Sequence, residues 1–286
     1  PETIEAMCDE LATTRSGKTV HNIYIRTKQI LNHAVRDKLI PINPALAAIP
    51  PRYEPADTII LQPGQPAAAI HAAHDPKPRK RDTLHDDQDD HDMWALMFDL
   101  AFATGMRQAE RFAITPSELV TRDGIHGIEV RWQLQQLKPD ATIPGWLQAR
   151  HITGNFWLIP PKTRQGIRFI PLDTRTWLRL LELANKHQCA PDDLIFTRHG
   201  QPLTGNVERR RWQRALQDAG LPPVTMRAAR HFFSTHLAQT GAPEDARKAI
   251  MGHAKITTTA RYTHWTPETR AALADEAREA IGVGNE

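Results

Sequence analysis

The run MWALMFDLAFAT, residues 93–104, is apolar on nearly every side and stops at Gly105. A helix with no polar face has nowhere to lie but inside other elements. This run is therefore expected to be a buried helix around which a domain is built. Gly105 is the residue type that most readily takes the left-handed conformation at a helix C-terminus.

The rest of the chain supplies partners for that helix. Residues 16–39 read as a helix with Ser16 as N-cap, apolar residues Val20, Ile23, Ile30, Leu31, Ala34 and Val35 near helical spacing, and Lys18, His21, Arg26, Lys28 and Arg36 on the polar side. Pro41, Pro44, Pro50, Pro51 and Pro55 follow and break any continuation. The expected division is therefore a small all-α domain with linker over residues 1–56 and a larger domain over 57–286. Residues 64–74 suit a short helix and 75–92 an exposed, charged loop. Residues 125–133 and 155–159 read as strands joined by a Pro- and Gly-containing excursion. Residues 162–172 read as a hairpin turning near 164–166, with Ile167, Phe169 and Pro171 alternating after it. Helices are expected at 174–187, 205–219, 227–240, 243–251 and 266–281. The fold class is mainly α with a small antiparallel β-sheet, an α+β domain behind a small all-α one.

Composition bounds the function. The chain has 286 residues, about 40% of them hydrophobic, with seven tryptophans, which supports a real core. No apolar run approaches the roughly 18–20 residues needed to span a bilayer, and no charged-then-apolar leader is visible. Two cysteines, Cys8 and Cys189, make neither a disulfide framework nor a cysteine zinc site, and a reducing, cytoplasmic compartment is the natural reading. The net charge is only +3, but Asp86, Asp87, Asp89, Asp90 and Asp92 concentrate acid in one stretch. The remainder is more basic, with clusters at 77–81, 209–214 and 227–231, the footprint of a polyanion partner or of a solvated surface. His85 and His91 among the aspartates, like His71 and His74, lack the paired spacing that fixes a metal geometry.

Four short segments carry the chemistry: ATGMRQAE at 103–110, PKTRQGIRFIPL at 161–172, RAARHFFSTHL at 227–237 and MGHAKITTTARYTH at 251–264. With the helix at 16–39 they resemble the tyrosine recombinases, the phage-integrase family. That family's pattern is an Arg in a T-G-x-R-x-x-E box, a Lys on a β-hairpin, H-x-x-R-H with T-H-L, then L-G-H and a Tyr nine residues later. The matching positions are Arg107 with Glu110, Lys162, Arg230 with His231 and His236, His253 and Tyr262. The spacings, 23 residues from Arg230 to His253 and nine from His253 to Tyr262, agree. Singly, each residue has an ordinary reading: Arg107 as a carbonyl cap, Lys162 as a solvated turn residue, His253 as a turn histidine, Tyr262 as an exposed tyrosine. Where the family has the first His of H-x-x-R, this chain has Arg227, which stays charged and can only donate. Arg227 is expected to clamp phosphate rather than to act as a base.

The resemblance implies a site-specific DNA recombinase or integrase. It would cleave and rejoin strands through a 3′-phosphotyrosine at Tyr262, in a tetrameric synapse, without metal, cofactor or ATP. Arg107, Arg227 and Arg230 would hold the phosphate, Lys162 would be the general acid, and His253 would bond the phosphoryl oxygen or assist proton transfer. Glu110 and His231 would support them. Lys18, Arg26 and Lys28 would contact double-stranded DNA from a partial core-binding domain, whose shortness for the family implies helices upstream of this sequence. The segment 266–281 would dock on a neighbouring protomer, and accessory DNA-bending proteins are compatible with the class. Two alternatives stay open: a DNA-binding member impaired in catalysis, and a type IB topoisomerase or telomere resolvase.

Overall fold

The computed structural model describes residues 1–54, 59, 61–79, 86–163, 166–239, 244–252, 281 and 282. The chain forms two compact units, Pro1–Thr58 and Ile59–Glu286.

In the first unit, α1 (Glu2–Ala12) and α2 (Gly17–Arg36) are followed by a 3₁₀ turn at Pro44–Leu46. The Ser16 hydroxyl accepts from the Thr19 N–H and starts α2. Ile4, Cys8, Val20, Tyr24, Ala45 and Ala48 form the core. The Tyr24 hydroxyl donates to the Ala45 carbonyl at 2.9 Å, so the phenol both fills the core and ties α2 to the turn beyond it. The apolar face thus runs through Tyr24. Ile30, expected on it, is 68% exposed.

In the second unit α4 (Gln88–Thr104) is the central helix, packed against α3 (Gln65–His74), α6 (Thr174–Lys186) and α8 (Arg227–Gln239). Every residue from Met93 to Thr104 is buried, as its all-round apolarity requires. Trp212 of α7 (Gly205–Asp218) packs on Phe98 and Phe102, and Phe232 of α8 meets Phe102 edge-on at 5.6 Å. The Trp212 indole N–H donates to the Val224 carbonyl at 2.9 Å, so this buried donor is satisfied.

Two small antiparallel sheets flank the helices. One has the order β1 (Leu119–Arg122), β2 (Ile125–Val130), β6 (Arg168–Pro171). The other has the order β3 (Gln133–Gln136), β5 (Phe156–Ile159), β4 (Arg150–Thr153), and β7 (Thr197–Arg198) with β8 (Gln201–Pro202) makes a two-residue ladder. Three expectations need correction. Among the described residues of 162–172 none pairs with another as a hairpin: β6 pairs with β2, Val130 opposite Arg168, while Lys162 and Thr163 lie in a bend. The expected alternation in β6 is not observed either: Arg168, Ile170 and Pro171 are buried, Phe169 is half-buried and Ile167 is exposed, because pairing with β2 fixes the register. Lastly, residues 86–92 are not a solvated loop. Asp87 caps α4, Asp86 is buried in ion pairs with Arg198 and Arg211, and Asp89 pairs with Lys186 and His187. The paired arginines and Lys186 offset the cost of placing the carboxylates there. Among the described residues no helix is long and apolar enough to cross a membrane.

Candidate active site

Gly105 caps α4 with φ +59°, and a β-carbon there would come within 2.6 Å of the Phe233 ring. The chain therefore turns sharply and closely at this point, which only glycine permits. It re-enters a helix at once, α5 (Gln108–Arg111), whose N-cap position is Arg107. Glu110, three residues on, reaches back and accepts from the Arg107 backbone N–H at 2.9 Å and from Arg107 Nη1 at 2.9 Å. The T-G-x-R-x-x-E pattern is thus a helix stop, a helix start and a capping carboxylate in succession. From the far side, Arg111 is buried against Glu208 of α7 and donates to the Met106 carbonyl at 2.8 Å, while Gln108 also bonds Glu208. Neither Arg111 nor Glu208 stands out in the sequence, since a buried ion pair between residues 97 apart has no local pattern.

Arg168 enters from β6. Its Nη1 and Nη2 donate to the two Glu110 oxygens at 3.2 and 2.9 Å, a bidentate pair with both side chains buried. Burial alone would raise the Glu110 carboxyl. The hydrogen bonds and charge of Arg168, with the Arg107 bonds, instead hold it at about 2. Arg230, on the first turn of α8, donates to the Gly105 carbonyl at 2.7 Å through Nη1 and to the Met251 carbonyl through Nη2. Burial, together with the positive charges of Arg107, Arg168 and Arg227 and opposed by Glu110, lowers its guanidinium to about 10. Arg230 stays protonated at neutral pH in a positive field that a bound anion would relieve.

These contacts converge on the end of α9 (Glu244–Met251). Three successive carbonyls there each accept from a different arginine: Ile250 from Arg168 Nε at 2.6 Å, Met251 from Arg230, and Gly252 from Arg107 Nη2 at 3.2 Å. Terminal helix carbonyls lack intrahelical partners and carry the negative end of the dipole, so cations are well placed there. Arg107 does serve as a carbonyl cap, but of α9 rather than of the helix that precedes it. Three guanidiniums face a single carboxylate in this cluster, which leaves it strongly electropositive.

Of the other expected residues, Arg227 is exposed at the start of α8, and its charge reaches Arg230. His231 is exposed and His236 half-buried. Lys162 is exposed immediately before a turn in which the Gly166 N–H donates to the Thr163 carbonyl at 2.9 Å. Lys18 and Arg26 are exposed on α2 and Lys28 is half-buried. His253, Tyr262 and residues 266–280 lie outside the described residues, and Ile281 is buried. Among the described residues no cluster of three His, Cys, Asp or Glu is arranged to hold a metal.

The model of the phage integrase family matches residues 82–269, and the chain belongs to that family. It is 31% identical over 119 residues to tyrosine recombinase XerC 2 of Ralstonia nicotianae, covering 40% of this chain and 34% of that protein. It is 37% identical over 79 residues to tyrosine recombinase XerC of Halalkalibacterium halodurans, covering 27% and 26%. The chain thus spans about a third or less of the curated relatives it matches. Its fold is similar to the Tn1549 transposon integrase solved with transposon right end DNA, with a TM-score of 0.65, 22% identity, and coverage of 95% of this chain and 83% of that one. It also resembles a lambda integrase dimer bound to a COC′ core site, with a TM-score of 0.57, 16% identity and coverage of 89% and 78%.

Proposed function

We propose that the chain is a site-specific recombinase that breaks and rejoins DNA by strand transfer through Tyr262. The observation that carries this reading is the electropositive cluster of Arg107, Arg168 and Arg230 at the end of α9, directly before His253 in the chain. In the reaction, the Tyr262 oxygen attacks the scissile phosphorus and gives its phenolic proton to water. The bond from phosphorus to the 5′ oxygen breaks, and Lys162 donates a proton to that leaving oxygen. The result is a 3′-phosphotyrosyl bond and a free 5′-hydroxyl. In the reverse step a DNA 5′-hydroxyl attacks the phosphotyrosine, Tyr262 leaves, and the strand is sealed without an external energy source. Arg107 and Arg230 stabilise charge on the phosphoryl oxygens, His253 bonds one of them, and Arg227 clamps an adjoining phosphate.

The unit Pro1–Thr58 acts as a DNA-gripping element, its contacts led by Lys18, Arg26 and Lys28. The protein works as a tetramer on paired sites in the cytoplasm, with the 266–281 segment joining protomers. Side chains supply all the positive charge the step requires. Mixing the protein with a nicked duplex cut from the direct repeats that flank its gene tests this. A covalent protein–DNA adduct absent from Tyr262→Phe is the expected outcome. Tight binding with no adduct would overturn it. That result favours the second reading, a DNA-binding member without catalysis, which rests on Arg227 standing where a proton acceptor is usual. Relaxed circles without exchanged strands would point to a topoisomerase.

A further inference from the structure

Arg168 lies within residues 161–172 but has no part in the family resemblance described above. It nevertheless bonds to three stretches that adjoin residues expected in the reaction. Nη1 and Nη2 grip Glu110, the carboxylate that also orients Arg107. Nη1 donates to the Gly166 carbonyl at 3.2 Å, at the closing end of the loop that bears Lys162. Nε donates to the Ile250 carbonyl at 2.6 Å, two residues before Gly252 and three before His253.

We propose that Arg168 is a positioning residue that holds the Arg107 box, the Lys162 loop and the segment leading to His253 and Tyr262 in one register. The proposal rests on reading the site as a strand-transfer centre.

Exposure separates this role from phosphate binding. The Arg168 side chain is 6% exposed, and all three of its nitrogens are engaged by protein, whereas Arg107 is 40% exposed. Arg107 can meet a phosphate and Arg168 cannot. The planar fork matters because three directions are served at once from one rigid group. A lysine ammonium is a single point and would serve one or two of them. Two glycines show how closely the surroundings are fitted. Gly252 has φ +62°, and a β-carbon on it would sit 3.0 Å from Arg168 Nη1. A β-carbon on Gly166 would come within 2.3 Å of Pro161, so the Lys162 loop closes tightly enough for its carbonyl to reach Arg168. Strand transfer between a nucleophile, an acid and a phosphate tolerates little misplacement, with errors of order 1 Å costing about 10²-fold.

The test uses the full chain, the nicked repeat duplex described above, and the variants Arg168→Lys, Arg168→Ala and Gly252→Ala. Single-turnover adduct formation at saturating duplex is measured beside the affinity for the same duplex. The expected result is a rate lowered by about 10²-fold in all three variants, with affinity changed by no more than about threefold. Millimolar guanidinium chloride should restore adduct formation in Arg168→Ala at least in part, where matched sodium chloride does not. Wild-type rates in Arg168→Lys and Gly252→Ala would overturn the proposal. So would rate and affinity falling in proportion, which would make Arg168 a DNA contact.

Amide exchange in the DNA-free protein supplies a readout independent of catalysis. Arg168→Lys should speed exchange in residues 161–167 and 250–252 together, and unchanged exchange in either segment would overturn the proposal. If wild type binds the duplex and forms no adduct, the strand-transfer reading fails, and the exchange result alone decides the part that concerns Arg168.

Discussion

Arg168 and Glu110 form a bidentate ion pair, Nη2 to Oε2 at 2.9 Å, with the carboxylate fully buried beneath the arginine cluster. Its worth lies in what it holds. One oxygen of Glu110 also takes the Arg107 backbone N–H, and the other takes Arg107 Nη1. The pair therefore fixes Arg107 from beneath while its side chain stays 40% exposed.

Replacing Glu110 by glutamine keeps its shape and removes its charge. Arg168 would then be buried without a counter-charge, a change that typically costs roughly 3–5 kcal/mol. Glu110→Gln should lower the urea midpoint accordingly with little change in the slope of the transition.

The same carboxylate sets a pH limit. Its folded pKa, about 2, lies below the ordinary value of 4.5, so its ionisation stabilises the fold above about pH 4.5. That stabilisation should fade as pH falls from 4.5 towards 2, by about 3 kcal/mol in all. Acid titration of unfolding free energy should show a drop in this window that Glu110→Gln lacks.

Gly105 combines a left-handed backbone with a β-carbon position blocked by Phe233. Gly105→Ala should therefore destabilise the fold by more than about 1 kcal/mol. Because the Gly105 carbonyl accepts from Arg230, adduct formation should fall further than the loss of folded protein explains. Comparing rates at a temperature where the variant is fully folded separates the two effects.

Arg111 and Glu208 are buried together and join α5 to α7. Either Arg111→Met or Glu208→Leu alone should cost roughly 3–5 kcal/mol by stranding the other charge. The double variant should recover most of that, giving a coupling of more than about 1 kcal/mol in a double-mutant cycle of thermal or urea unfolding.

Arg227 is exposed and its loss should leave stability within about 0.5 kcal/mol. Its charge nonetheless reaches Arg230. Arg227→Ala should weaken duplex binding and flatten its salt dependence by about one unit of slope, as expected for one lost phosphate contact. An unchanged slope would remove Arg227 from the interface.

Much of this was legible from local pattern. A run apolar on nearly every side between Met93 and Thr104 has only one place to go, and Gly105 marks its end for a steric reason visible in the residue itself. Ser16 at the start of α2 and the spacing of Arg107 and Glu110 follow from hydrogen bonds that reach only three residues along the chain. Sequence alone, through motif order and spacing, also determined the family. What it did not determine was partner choice across distance. The phase of β6 depends on Val130 lying opposite Arg168, and strand periodicity by itself is equally consistent with either face. Nor does any short pattern state that Asp86 pairs with Arg211, that Arg111 pairs with Glu208, or that the guanidiniums of Arg107, Arg168 and Arg230 meet on three consecutive carbonyls at the end of α9. Those choices were made by tertiary packing, because buried charges must find counter-charges wherever the fold brings them. The residues expected to act on a strand can be read from the chain. The bonds from Arg168 to Glu110, Gly166 and Ile250 are visible only once the chain has folded.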